Sequence, residues 1–391
     1  MSKTVLISGA GIAGPSVAFW LNRLGYSTTV VERAPALREG GQAVDFRGEQ
    51  MEVLRRMGLL EEVRARRTSM GEQHILDASG NRVASLPASM ISGEVEIQRG
   101  DLSRVLYEAT RADTEYVFGD WITALTDTGS AVEVTFAHGA PRTVDLVVGA
   151  DGLHSAVRAL TFGPESRFRT DMGYVCAGCS VPNHLLLDHA GLIYNVPGRG
   201  VTYAAQDPDG PASVGFVFAA NGLNYDRKDE AQLKRLITEV YAGVGWEVPR
   251  LLAALRDVDD LYFDELAHIC LPAYTSGRVA LVGDAGWGVG PGGGGTGLAM
   301  MAAHVLAGEL AAAGGDHTVA FPRYESEVRP AAEAGAKQAK GTGPFLAPRT
   351  ARGLWLRNQS HRLLTTRLFS GVFDKLTLKA ANTLRLKDYG L

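Results

Sequence analysis

A chain of 391 residues with 46% hydrophobic and 21% charged side chains can bury a large core, which excludes disorder. Its formal net charge of −4 gives no support to a polyanion-binding role such as nucleic acid, and its three cysteines are too few for a disulfide framework. Glycine is the anomaly: 47 of 391 residues, with no G-X-Y period to suggest collagen, against a usual share of roughly 7%.

The chain opens Met1-Ser2-Lys3 and passes straight into an apolar run, Thr4–Ile7, that reads as a buried strand. No signal-peptide stages precede it and no run of about 18 apolar residues follows, so a cytoplasmic protein without membrane contact is expected. Gly9-Ala10-Gly11-Ile12-Ala13-Gly14 comes next, then a helical stretch from Ser16 to Leu21 ended by Gly25. Thr28–Val31 is a second strand closing on Glu32, so the segment forms a βαβ unit with parallel strands. An amphipathic helix is expected over 49–66, strands over 73–97, a helix over 101–112, and strands at Val132–Phe136 and Leu146–Val148. From about 172 to 220, short apolar runs alternate with Pro, Gly, Asn and Asp, the pattern of an antiparallel sheet. Residues 229–257 read as helical, Arg278–Val282 as a strand, 298–313 as an Ala/Leu-rich helix, and the remainder as helix.

Gly9-x-Gly11-x-x-Gly14 between strand and helix, with an acid 18 residues beyond Gly14, is the pattern of a dinucleotide cradle. Glycine permits the tight turn, the close approach of a pyrophosphate and the packing of helix on strand, while Glu32 can reach a ribose. The motif does not choose between NAD and FAD. Two further segments do so by resemblance: Asp145–Arg158, containing Asp151-Gly152, and Arg278–Ala285, containing Gly283-Asp284. With the N-terminal fingerprint they resemble, in order, the three motifs of FAD-dependent class A aromatic monooxygenases of the para-hydroxybenzoate hydroxylase fold. The likeness covers about residues 1–330 and is nearest to the TetX-like and aromatic-polyketide branch.

That resemblance implies an α/β architecture: a Rossmann-type FAD-binding domain (1–72, 98–170 and 270–330) interleaved with an antiparallel-sheet substrate domain (73–97 and 171–269). A C-terminal helical segment (331–391) follows. It implies FAD contacts from Gly9, Gly11, Ala13, Gly14, Glu32, Arg33, Asp45, Arg99, Asp151, Asp284, Pro291, Gly294, Gly295 and Thr296, and an NADPH-linked arginine at Arg38. Polar loop residues without a cofactor role are the competing reading for Asp45 and Arg38. The implied reaction is hydroxylation of an aromatic or polycyclic small molecule with NAD(P)H and O₂, through a flavin C4a-hydroperoxide, in a monomer. No residue is nominated as an obligate acid or base. A reductase or oxidase, and a flavoprotein that sequesters ligand without turnover, are the competing functions.

The chain departs from the family where Gly-Asp-Ala-Ala-His is usual, reading Gly283-Asp284-Ala285-Gly286-Trp287. Trp287 either lies near the flavin or packs beneath the loop, and four consecutive glycines, Gly292–Gly295, suggest a mobile loop. Alternation along the sheet offers Tyr194, Tyr203, Phe216 and Phe218 as pocket walls, with sheet core the competing reading, and Arg47 as an orienting cation or a surface residue. Cys176-x-x-Cys179 with His184 and His189 has the look of a zinc knuckle, but residues three apart on a strand face opposite ways, so no metal is expected. Residues 349–391 carry nine Arg/Lys and two Asp among Leu354, Leu356, Leu363, Leu364, Leu368, Val372 and Phe373. An amphipathic helix touching anionic lipid is the lesser reading of this stretch, and a helix packed across both domains the greater.

Overall fold

The computed structural model describes residues 2–38, 40–88, 92–220, 222–364 and 382–391. Leu368, Val372 and Phe373 of the basic segment lie outside the described residues. The first layer is a six-stranded sheet in the order Thr275–Ser276, Val279–Leu281, Leu146–Gly149, Thr4–Ser8, Ser27–Glu32, Thr114–Phe118. Four of its five junctions are parallel, and only the short Thr275–Ser276 edge runs antiparallel. Parallel strands are covered on both faces, hence the unbroken apolar runs in sequence. Helix Ala13–Arg23 buries every residue from Ala13 to Leu21, and helix Gly295–Ala312 buries all from Gly297 to Leu310. The latter is long and apolar enough to cross a membrane, but 78% of it is buried in this core.

The second layer is a seven-stranded sheet in which Arg169–Pro182, Ala190–Val196, Arg199–Ala205, Pro211–Ala219 and Tyr262–Ile269 pair antiparallel. Gln73–Leu76 joins it parallel to Ala190–Val196, and Arg82–Leu86 forms the far edge. The expected strand span 73–97 divides: Val95–Gln98 leaves the large sheet and pairs with Ala43–Phe46. Two expected helices also divide. Gly58, at φ 73°, ends Glu49–Met57 before Leu60–Ala65, and the 229–257 stretch becomes Glu230–Val240 and Val248–Ala254.

Parity decides what the large sheet does. Val175, Ala177, Cys179, Tyr194, Val201, Tyr203, Val214, Phe216 and Phe218 share one face, packed with Leu233, Ile237, Tyr241, Val248 and Leu251 of the two helices. The opposite face carries Tyr174, Cys176, Gly178, Gly215, Val217 and Thr202, and it turns toward the first layer.

Candidate functional site

The cradle is built by the first βαβ unit. Gly9 sits at φ 107°, and a Cβ there would lie 2.5 Å from the Ala150 carbonyl oxygen. A Cβ on Gly14 would overlap the Gly9 carbonyl, so helix and turn interlock only because both residues lack side chains. Ala13 begins the helix, whose first turn has no side-chain cap, which leaves amides free for an anion. Glu32 accepts from the Ala10 N–H at 2.8 Å and the Ala34 N–H at 2.9 Å, which holds its carboxylate beside the glycine turn. Arg33 stacks over Trp121 at 4.9 Å.

Three distant segments meet this cradle. Arg99 begins helix Arg99–Glu108, and its guanidinium lies 3.4 Å from where a Gly11 Cβ would stand. Asp284 sits in the Gly283–Ala285 turn, with Oδ1 3.6 Å from the Cβ position of Gly295, at the start of the long buried helix. Among the described residues no hydrogen-bond donor is assigned to Asp284. Its carboxyl is open to solvent yet walled by dense protein, and this desolvation pushes its pKa above the ordinary range against the pull of Arg99. Asp151 behaves differently: it accepts from the Ser155 hydroxyl and from the Ala156 and Val157 amides at 2.8 and 3.1 Å, capping helix Ala156–Phe162.

The loop Pro291–Thr296 closes the line. Gly294, at φ 68°, is the N-cap of the buried helix, and Gly295 and Thr296 form its first turn. Far from swinging free, the glycine run is tied down. Thr342 donates to the Pro291 carbonyl at 2.8 Å, Gln338 donates to the Gly292 carbonyl at 2.9 Å, and Gly293 meets the backbone of Gly335. Asp45 and Arg47 pair at 2.6 Å, and Arg38 is exposed near by in sequence.

The expected aromatic pocket is corrected. Tyr194, Tyr203, Phe216 and Phe218 are at most 3% exposed and face the helices behind the sheet, because the strand register sets them in odd phase with the cleft. Trp287 is 2% exposed in the core of the first layer against Tyr274, so it packs beneath the loop. The cleft floor is a cross-strand row that sequence reading missed: Tyr262, Gly178, Gly215, Thr202, Ile193. Gly178 leaves room at its centre, the Thr202 hydroxyl covers Gly215, and Tyr262 is 50% exposed at one end. Gln42, from the glycine loop, crosses to donate to the Cys176 sulfur at 3.3 Å. Cys176 and Cys179 face opposite sides of the strand, while His184 pairs with Glu247 and His189 with Asp188. The only signal in sequence was glycine inside strands, which marks close approach.

One charged cluster joins the two layers near this floor. His154 faces Glu165 through Nδ1 at 2.9 Å and Asp264 of the large sheet through Nε2 at 3.0 Å. Arg158, fully buried, donates to Glu165 at 2.9 Å, to the Leu153 carbonyl at 2.6 Å and to the Ala285 carbonyl at 3.1 Å.

A glycine turn with free helix amides, an acid held beside it and a carboxylate near a helix N-terminus suit a flavin dinucleotide. Residues 2–339 match the family described as FAD binding domain. The chain belongs to that family. It is an FAD-dependent monooxygenase. It is 42% identical over 337 residues to an uncharacterized protein of Mycobacterium tuberculosis (strain ATCC 25618 / H37Rv), covering 83% of this chain and 89% of that one. A flavin-dependent monooxygenase of Legionella longbeachae is 34% identical over 344 residues, covering 86% and 88%. Among solved structures, tetracycline destructase Tet(55) superposes with a TM-score of 0.85 at 35% identity, covering 99% of each chain. The mixed α/β architecture is thus that of the flavin monooxygenases.

Proposed function

We propose that this monooxygenase hydroxylates a flat, polycyclic aromatic substrate seated on the Gly178–Gly215 floor, with NAD(P)H as reductant. The observation that carries the reading is the side-chain-poor floor at Gly178 and Gly215, with hydroxyls of Tyr262 and Thr202 spaced along it. Three strand spacings separate those two residues, about 14 Å, a span that suits several fused rings better than one. Gly9, Gly11, Ala13 and Gly14 hold the pyrophosphate, Glu32 the ribose, and Arg99 and Asp284 the chain between phosphate and ring. Amides of Pro291–Thr296, excepting the proline, face the pyrimidine edge and stabilise negative charge there. Asp45, Arg33 and Asp151 serve this cofactor from the rim, Arg38 serves the nicotinamide nucleotide, and Arg47 is held to Asp45. Flavin, when bound and reduced, supplies the activation of O₂; the residues of this chain orient the substrate and exclude water.

Trp287 was the one motive for a reductase or oxidase reading, and its burial under the loop removes it from the reacting centre. The deciding experiment mixes the purified yellow protein with NADPH or NADH, O₂ and a panel of fused-ring and single-ring phenols. NAD(P)H oxidation with product one oxygen heavier, strongest for fused rings, is expected. Cofactor oxidation with products of unchanged oxygen content would overturn the proposal, as would equal turnover of single-ring phenols.

A further inference from the structure

The cofactor layer and the substrate sheet are separate elements, and the cleft between them works only if they hold a fixed spacing. His154 stands at their junction. It lies three residues after Asp151, in the loop that leads into helix Ala156–Phe162. One ring nitrogen meets Glu165 of the cofactor layer at 2.9 Å, and the other meets Asp264 of strand Tyr262–Ile269 at 3.0 Å. Both partners are carboxylates, which accept only. A neutral imidazole has one donor and one acceptor, so it satisfies one carboxylate and opposes the other; an imidazolium donates to both.

The contact continues inward. Glu165 also binds Arg158, whose other donors hold the carbonyls of Leu153 and Ala285, the residue after Asp284. Asp264 is two residues from Tyr262 on the cleft floor. A line of hydrogen bonds therefore runs from the Gly283–Ala285 turn through Arg158, Glu165, His154 and Asp264 to the substrate sheet. We propose that His154 is a positioning residue: as an imidazolium it clasps the substrate sheet to the cofactor turn, and its deprotonation loosens the cleft and the grip on FAD.

The surrounding charges support a cationic ring. Glu165 faces Arg158, Arg169 at 3.5 Å and Arg227 at 4.0 Å, while Arg169 also pairs with Glu265 and with Asp171 at 2.7 Å. Glu165 and Asp264 thus flank the ring directly, with Arg158, Arg169 and Arg227 behind Glu165 and with Asp151 and Asp284 facing Arg158 from the cofactor side. Burial works against the charge on His154, but the bonds to Asp264 and Glu165 outweigh it and lift its pKa above the ordinary 6.5. A group whose pKa is raised on folding contributes fully below its unfolded value, and that contribution disappears as pH rises through the raised one. The clasp is closed in acid and opens from above 6.5 upward.

FAD dissociation, followed by the recovery of flavin fluorescence on dilution of the holoenzyme, reads this without any substrate, so its outcome is independent of the substrate reading. For the wild type, FAD release should accelerate about tenfold between pH 6 and pH 9, the scale of one lost charge-assisted bond. His154→Gln should release FAD at the fast rate across that range, and His154→Arg, charged throughout, should keep the slow rate to pH 9. Asp264→Asn should lower the pKa of the His154 ring read by NMR. Parallel pH profiles for wild type, Gln and Arg forms would overturn the proposal, and so would a His154 ring that titrates below 6.5.

Discussion

The cofactor roles proposed for single residues are separable by substitution. In Gly14→Ala the added methyl would overlap the Gly9 carbonyl, forcing helix and turn apart. We expect a folded protein by circular dichroism that purifies colourless, with FAD affinity reduced at least roughly 100-fold, about 3 kcal/mol. Asp284→Asn should split stability from binding. Desolvation, partly offset by Arg99, raises the pKa of the Asp284 carboxyl, so in the empty protein its ionised form costs stability that acid relieves. Without FAD the asparagine form should melt higher than wild type at alkaline pH, the gap narrowing as pH falls through the raised pKa. Its FAD affinity should drop about tenfold, the scale of one bond to a charged group. A lower melting temperature for the empty Asn form would refute this. Gly14 was legible in sequence because strand, glycine turn, helix and acid occur in a spacing set by the geometry of one βαβ unit, whereas Asp284 entered only through the resemblance of its Gly-Asp segment. Asp151 was legible as a motif but not as a helix cap, since its partners Ser155, Ala156 and Val157 become neighbours only when the turn forms.

At the scale of elements, the large sheet shows what alternation can and cannot tell. Period two correctly groups Tyr194, Tyr203, Phe216 and Phe218 on one face, yet nothing in the period says which face meets the cofactor. Helices Glu230–Val240 and Val248–Ala254 decide it by covering the aromatic side. The cleft side is then recognisable by what it lacks, side chains at Gly178 and Gly215. A paired substitution separates the faces. Phe216→Ala, on the helical side, should destabilise the protein by about 3–5 kcal/mol, seen as a lower denaturation midpoint with KM little changed. Gly178→Val should leave stability near wild type, because a Cβ there meets only Val214 and Gln42 at 3.4 and 3.9 Å. It should raise KM for the aromatic substrate at least tenfold while the flavin spectrum is retained. The converse pattern would place the substrate on the other side of the sheet. The tetraglycine loop teaches a similar lesson: composition suggests freedom, while bonds from Thr342 and Gln338, both distant in sequence, remove it.

At the scale of the molecule, residues 382–391 tie distant elements together. Segment 382–391 returns to the cofactor layer, where Leu384 and Leu386 are buried and the Tyr389 hydroxyl donates to Glu309 at 2.8 Å. Lys387 adds a pair with Glu327 at 2.7 Å, and Asn382 accepts from the Glu49 amide at 3.1 Å. Removing residues 382–391 should cost roughly 3–6 kcal/mol for the two leucines alone, measurable as a lower thermal midpoint and faster loss of FAD; an unchanged midpoint would mean the tail is dispensable. The sequence reading anticipated helix for this stretch, whereas it docks as an extended strap, because its apolar residues meet a surface assembled from residues 49–57 and 300–328 that local pattern does not contain. The interleaving has a consequence for biosynthesis. Strand Thr4–Ser8 must wait for Leu146–Gly149, which waits for Val279–Leu281, while the hairpins of residues 190–219 are complete within one short stretch. During translation the hairpins of the substrate platform can form as a local unit, the first strand stays unpaired on one side until Leu146–Gly149 emerges, and the cofactor sheet is completed only when Val279–Leu281 follows.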